Sequence, residues 1–220
     1  MAVSARALIL DFGGVISRTL FETHDMTEAA LGLAPGTLTW RGPFAPEQDA
    51  LWQQMQNGNI SERDYWLTRA KEVGLLLGEE WTRMSDLVQR ARGDNLHAVM
   101  RPETLALIRR SKQAGKKLAI LSNELDLFYG ADFRDKLDFL QDFDVIEDAT
   151  YTGILKPDAR VYQACLAKLD EAAEHCVFVD DQRRNIIGAY AVGLQTVHFD
   201  VRDPQGSCDR AAELLGLDNQ

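Results

Sequence analysis

The chain has 220 residues, 45% of them apolar and 26% charged, and its 34 acidic against 24 basic side chains leave a formal net charge of −10. Such a composition suits one substantial globular core with room for a second small module, and it excludes a disordered or fibrous chain. The acidic balance opposes sequence-independent binding to nucleic acid or an anionic membrane surface, so an anionic small molecule would need a local basic site.

The N-terminal stretch MAVSARALILDFGGV holds only a short apolar run, unlike a signal peptide or a membrane span, and a cytoplasmic protein is expected. Ala7 to Phe12 (ALILDF) is almost continuously apolar and ends in Gly13-Gly14, the pattern of a strand buried on both faces. From about Phe21 to Asn95 the pattern changes to amphipathic helices, Pro46 to Gln56, Ser61 to Val73 and Glu79 to Arg92, with no buried strand. The spacing predicts a helical insertion, with crossings near Gly13-Gly14 and Gly93-Asp94.

Beyond it, strand-like runs at Leu118 to Ser122, Cys176 to Val179 and Leu194 to Phe199, with a weaker one at Phe143 to Ile146, alternate with helical segments. Those helices are Pro102 to Ala114, Asp158 to Leu169 and Asn185 to Val192, the first and last closed by Gly115 and Gly193. Alternation of this kind predicts an α/β fold with right-handed crossovers, a parallel sheet covered by helices, and ligands at the carboxyl ends of the strands. Residues 1–18 and 95–220 are expected to form this core, and residues 19–94 an all-helical module. Cys165, Cys176 and Cys208 lack CxxC spacing, and the four histidines lack pairing on a helical face, so a disulfide framework and a zinc site are not expected.

The polar residues that end the strands carry the chemical interest. Asp11 alone reads as turn chemistry before Gly13-Gly14. Ser122-Asn123 offers a hydroxyl and backbone N–H groups to an oxyanion, or equally begins a helix. Lys156 precedes Pro157, which sets the start of the next helix, and most such lysines are solvated. Asp180-Asp181 concentrates two carboxylates after an apolar run; their repulsion favours a cation, and oxygen-only ligands suit Mg²⁺.

In this order and context, Asp11, Ser122, Lys156 and Asp180-Asp181 resemble the four-motif signature of the haloacid dehalogenase superfamily. The resemblance covers ALILDFGGV (7–15), LAILSN (118–123), GILKPDARVYQ (153–163) and CVFVDDQRRNIIGAYAVGLQTV (176–197). It implies a Rossmann-like core under a mobile helical cap, and a phosphatase in which Asp11 attacks phosphorus to form an aspartyl-phosphate. It further implies Mg²⁺ held by Asp11, the Gly13 carbonyl, Asp181 and Asp180, a phosphoryl oxygen bound by Ser122 and Asn123, and charge balanced by Lys156. Asn185 would steady the loop after Asp181. The implied partner is a small phosphorylated substrate, with no nucleic acid or membrane, and the oligomeric state is open.

One position departs from that pattern. Most phosphatases of the family carry a second Asp two residues after the nucleophile, to protonate the leaving group and activate water, and here Gly13 stands instead. Ser17, Glu22 and His24 are the nearest replacements by sequence. In the insertion, Trp40-Arg41 lies in an irregular segment between Pro35 and Pro43, available for stacking and anion contact or simply packed on the module. Two alternatives compete with the phosphatase: a metal-independent 2-haloacid dehalogenase, which the paired acids disfavour, and a weakened binding or regulatory protein, which the retained motif residues disfavour.

Overall fold

A computed structural model describes residues 4–92 and 96–217. In chain order its elements are β1 (Ala7–Leu10), α1 (His24–Leu31), α2 (Ala50–Gln56), α3 (Glu62–Leu76), α4 (Met84–Arg92), α5 (Pro102–Gln113), β2 (Lys117–Ser122), α6 (Leu125–Tyr129), β3 (Val145–Asp148), α7 (Ala149–Thr152), α8 (Ala159–Leu169), β4 (Cys176–Asp180), α9 (Arg183–Val192), β5 (Gln195–His198) and α10 (Pro204–Leu215). The chain forms two units, one of Met1–Arg18, Met100–Leu125 and Arg134–Gln220, the other of Thr19–Val99 and Asp126–Phe133. The crossing expected at Gly93-Asp94 lies outside the described residues.

The first unit is the α/β fold that the alternation predicts. Its five strands are all parallel in the order β3-β2-β1-β4-β5. The chain winds outward from β1 through β2 to β3, returns to the other side of β1 at β4, and ends at β5. A switch point therefore lies between the carboxyl ends of β1 and β4, where open α/β sheets place ligands. Ala7 and Ile9 of β1 pack with Val161, Tyr162 and Cys165 of α8, and with Phe178 and Ala189. Leu8 and Leu10 alternate to the opposite face, and α5 and α10 pack on each other and on the strands. Complete burial of a side chain such as Phe178 stabilises by about 1.5–3 kcal/mol.

The first strand is two residues shorter than the apolar run suggests. Phe12 already belongs to the turn, its carbonyl accepting from the N–H groups of Ile16 and Ser17. The weak strand sits slightly later than its apolar pattern, because its ladder aligns Val145–Asp148 with Ala119–Ser122. Helix α10 has clear signals that the pattern reading missed: Asp203 accepts from the Gly206 N–H at its start, and Gly216 at φ 65° closes it. The entry and exit of the second unit are joined within the first, where Ser17 pairs antiparallel with Met100 and the Arg101 N–H donates to the Ile16 carbonyl at 2.9 Å.

The second unit is built around aromatic rings. Phe21 packs edge-on to Trp40 and Trp52, at 5.5 and 5.3 Å between centroids, and contacts Tyr65 and Trp66. Gly42, at φ 48°, lies so close that an added Cβ would fall 2.4 Å from the Phe21 ring. Buried Asp49 accepts from the Trp52 N–H and the Tyr65 hydroxyl, both at 2.9 Å, and pairs with Arg69. That N-cap begins α2 at Ala50 rather than Pro46. Likewise Glu79 is held by the Trp81 indole and Arg90, so α4 begins at Met84 rather than Glu79. Helix α1, between Thr23 and Gly32, was not legible as an amphipathic pattern; His24, Thr27, Glu28 and Leu31 are its buried positions, and three of them are polar.

Candidate active site

Strand register creates the site. Leu10 pairs with Val179, and the Asp11 N–H donates to the Val179 carbonyl at 2.9 Å, which sets Asp11 level with Asp180. Asp11, Asp180 and Asp181 each bring one carboxylate oxygen within 4.8 Å of the others. Like charges this close repel strongly, so the cluster needs compensation.

Lys156 provides part of it. Its Nζ lies 2.9 Å from Asp11 Oδ1 and 2.8 Å from Asp180 Oδ2, and donates to the Leu121 carbonyl at 2.8 Å. An ammonium has three protons, and these three acceptors use them all. Burial alone would lower the Lys156 pKa, but the charges of Asp11 and Asp180 outweigh it and hold the ammonium well above its ordinary range. Lys156 is thus a fixed positive charge, occupied by protein acceptors.

Asp180 is fully buried and saturated. It accepts from Lys156, from the Gln182 N–H at 2.7 Å and from Asn185 Nδ2 at 3.0 and 3.1 Å. Asp181, half-buried, accepts from Gln182 Nε2 at 3.3 Å, while His198 Nε2 lies 3.0 Å from the Asp181 carbonyl. Gln182 directly follows the paired acids, and that adjacency was its only sequence signal.

Two glycines meet here with different roles. An added Cβ on Gly13 would touch nothing within 4 Å. Gly14 sits at φ 84°, and a Cβ there would come 2.6 Å from Asp181 Oδ2, so only glycine lets that carboxylate lie on the turn. The Gly14 carbonyl accepts from Arg101 Nε at 2.9 Å; Arg101 is buried, its guanidinium 5.4 Å from the Phe199 ring centroid. Nothing in the sequence pointed to Arg101, which lies 87 residues away along the chain.

Ser122 ends β2 one register step beyond the level of Asp11, and its hydroxyl makes no hydrogen bond among the described residues. Asn123 holds the backbone of Lys156: its Oδ1 accepts from the Lys156 N–H at 2.7 Å, and its Nδ2 donates to the Lys156 carbonyl at 3.4 Å. Asp11, Gly13, Ser122, Asn123, Asp180 and Asp181 therefore stand at the strand ends of the first unit, and Lys156 reaches them from the loop before α8 rather than from a strand end.

Trp40 and Arg41 belong to the second unit. Trp40 is buried against Phe21, His24 and Trp66, while Arg41 is exposed and donates to His24 Nδ1 at 3.3 Å. Burial, then the Arg41 charge, lower the His24 pKa to about 4. Glu22 accepts from the N–H and hydroxyl of Thr19. Ser17, in the first unit, is fully buried with its hydroxyl 3.4 Å from the Phe12 carbonyl.

Residues 5–193 match the family model for haloacid dehalogenase-like hydrolases. Among curated proteins, the chain is 24% identical to a sesquiterpene phosphatase, AstK, of Aspergillus oryzae over 222 residues, covering 98% of this chain and all of that one. Among solved structures it resembles a dehalogenase, with TM-score 0.65 at 19% identity over the whole of both chains. It also resembles the hydrolase YfnB of Bacillus subtilis, whose structure was determined bound to magnesium, with TM-score 0.65 at 20% identity over 88% of this chain and 86% of that one. At such identities the structural likeness bears on the fold alone.

Proposed function

Because the chain belongs to the haloacid dehalogenase-like hydrolases, we propose that it is a magnesium-dependent phosphomonoester hydrolase acting on a small phosphorylated metabolite, with Asp11 as its nucleophile. The observation that carries this reading is the triple carboxylate cluster at the switch point, with Lys156 between two of its members. The full-length likeness to a phosphatase supports it.

Three hard oxygen donors in one place fit Mg²⁺. Asp11, Asp181 and the Gly13 carbonyl would hold the ion, and Asp180 would act through Lys156, Gln182 and Asn185, to which its oxygens are committed. When bound, the ion supplies positive charge between the nucleophile and the phosphate. Lys156 holds Asp11 through Oδ1, and the Asp11 carboxylate attacks phosphorus in line. The attacking oxygen forms the P–O bond as the ester P–O bond breaks, and its electron pair departs on the leaving oxygen. Ser122, with its uncommitted hydroxyl, and the Asn123 N–H bind a phosphoryl oxygen. Water then bonds to phosphorus and gives up a proton to solvent as the P–O bond to Asp11 breaks, its electron pair returning to the Asp11 carboxylate. Lys156 balances charge in both steps without touching the substrate.

In this reading residues 19–94 form the cap that selects the substrate, and Arg41 offers a guanidinium to an anionic part of it. Trp40 backs Arg41 from within the aromatic core. A dehalogenase would have to bring a substrate carboxylate to a cluster of three acids, which disfavours that activity. The test is phosphate release from an activated aryl phosphate with and without Mg²⁺. Release that needs the ion and is abolished by Asp11→Asn supports the proposal. Chloride release from 2-haloacids in a chelator, without phosphatase activity, overturns it.

A further inference from the structure

Gly13 and Gly14 bring more backbone freedom than any other residues of the turn after β1. Neither has a side chain, so the peptide between them, which bears the Gly13 carbonyl, turns freely unless its neighbours are held. The start of α5 holds them. Arg101 Nε donates to the Gly14 carbonyl at 2.9 Å, Thr104 Oγ1 to the Val15 carbonyl at 2.7 Å, and the Arg101 N–H to the Ile16 carbonyl at 2.9 Å. On the other side of the glycines, the Phe12 carbonyl accepts from the N–H groups of Ile16 and Ser17. In the run from Phe12 to Ile16, the Gly13 carbonyl alone makes no hydrogen bond among the described residues.

Packing aims the Arg101 donor. The residue is buried at the head of α5, and its guanidinium carbon lies 5.4 Å from the ring centroid of buried Phe199. Phe199 is itself tied to the sheet, its N–H donating to the Asp180 carbonyl at 2.9 Å. A planar guanidinium can rest a face on an aromatic ring while an N–H in its own plane donates elsewhere. Gly14, the residue so held, is also the one against which Asp181 lies, since an added Cβ would come 2.6 Å from Asp181 Oδ2.

We infer that Arg101 is a positioning residue for the cation site. By holding the Gly14 carbonyl it fixes the peptide between the two glycines, so that the Gly13 carbonyl and the Asp181 carboxylate are already set for a divalent ion. Thr104 assists it one carbonyl further along the chain. The inference rests on the magnesium site proposed above and goes beyond it by assigning the order of that site to the start of α5. Ligands ordered in advance lose less freedom on binding. Removing partners that orient metal ligands weakens binding by about 10–100-fold.

The test is calorimetric titration of the full chain with Mg²⁺, alongside phosphate release from an aryl phosphate at increasing Mg²⁺. Arg101→Met keeps an apolar stem but removes the donor, and should raise the Kd for Mg²⁺ about 10–100-fold, with the rate of release recovering as Mg²⁺ is raised. Arg101→Lys, which restores a donor, should regain part of the affinity. Leu107→Ala, on the buried face of the same helix, destabilises the fold without touching the turn and should leave the Kd unchanged. Wild-type Mg²⁺ affinity in Arg101→Met, or an equal loss in Leu107→Ala, would overturn the inference while leaving the hydrolase intact. If Arg101→Met does not fold, Arg101→Lys and Thr104→Val decide: wild-type affinity in both overturns the inference, and weaker binding in either supports it. Absence of Mg²⁺ binding by the unaltered chain would overturn the magnesium site and the inference with it, whereas Mg²⁺ binding without phosphate release would overturn the hydrolase reading alone.

Discussion

The side-chain amide of Asn123 pairs with the backbone of Lys156 on both sides, accepting from its N–H at 2.7 Å and donating to its carbonyl at 3.4 Å. The end of β2 thereby fixes where the lysine leaves the chain, 33 residues later. Asn123→Ala should cost about 1–3 kcal/mol for the buried groups left unpaired. With Lys156 less well held against Asp11, kcat should fall more than KM rises. Urea denaturation and steady-state kinetics on an aryl phosphate check both; a variant altered only in KM would contradict the assignment.

Lys156 stands between two carboxylates, 2.9 Å from one and 2.8 Å from the other. Lys156→Met leaves both negative charges in a buried site without their cation, a loss of about 3–5 kcal/mol. Adding Asp180→Asn removes one of those charges and should recover part of the loss. Denaturation of the single and double variants measures the coupling, and purely additive effects would argue against it.

Gly13 and Gly14 should respond oppositely to alanine. Gly13→Ala meets open space and should leave folding stability within about 0.5 kcal/mol. Gly14→Ala forces a side chain into a left-handed conformation and against Asp181, a cost of at least about 1–2 kcal/mol. Calorimetric titration with Mg²⁺ should also show weaker binding in Gly14→Ala, because Asp181 must move.

The helical unit should carry an acid-sensitive element at His24. Burial and Arg41 depress its folded pKa to about 4, against about 6.5 when unfolded. Between these values the unfolded chain binds a proton that the folded chain does not, so stability contributed above pH 6.5 is lost as the pH falls towards 4. His24→Gln should flatten the fall in denaturation midpoint between pH 7 and pH 5. An unchanged slope would mean that His24 does not titrate as described.

The sheet was legible because buried parallel strands write themselves as unbroken apolar runs, such as LAILS and CVFV, bounded by polar residues at the ligand-facing end. Asp11, Ser122 and Asp180-Asp181 were visible for the same reason, whereas Lys156 stands in the loop between α7 and α8, eight residues past the end of β3, and was marked by Pro157. Hidden were the contacts that hold them: the Asn123 side chain on Lys156, and Arg101 on the Gly14 carbonyl, 87 residues away. Helix α1 was hidden because polar Thr27 and Glu28 are buried, Glu28 accepting from the N–H groups of Gly36 and Leu38. Helix α4 appeared too long because an apolar pattern does not record that Glu79 is drawn to Trp81 and Arg90.

The pairing of Ser17 with Met100 means that the chain leaves the sheet-bearing unit and rejoins it one strand-width away. For the sheet, everything between is topologically equivalent to a short loop, free to vary in length and content without straining β1 or β2. The segment from Asp126 to Phe133 also belongs to the helical unit, with contacts such as Phe128 against Trp66. Excising the helical unit cleanly would therefore require two edits, a bridge from Ser17 to Met100 and a polar replacement for the apolar residues at 127–129. The three-carboxylate cluster and the long stretch between Ser17 and Met100 thus belong to separate modules, so a change in one need not disturb the other.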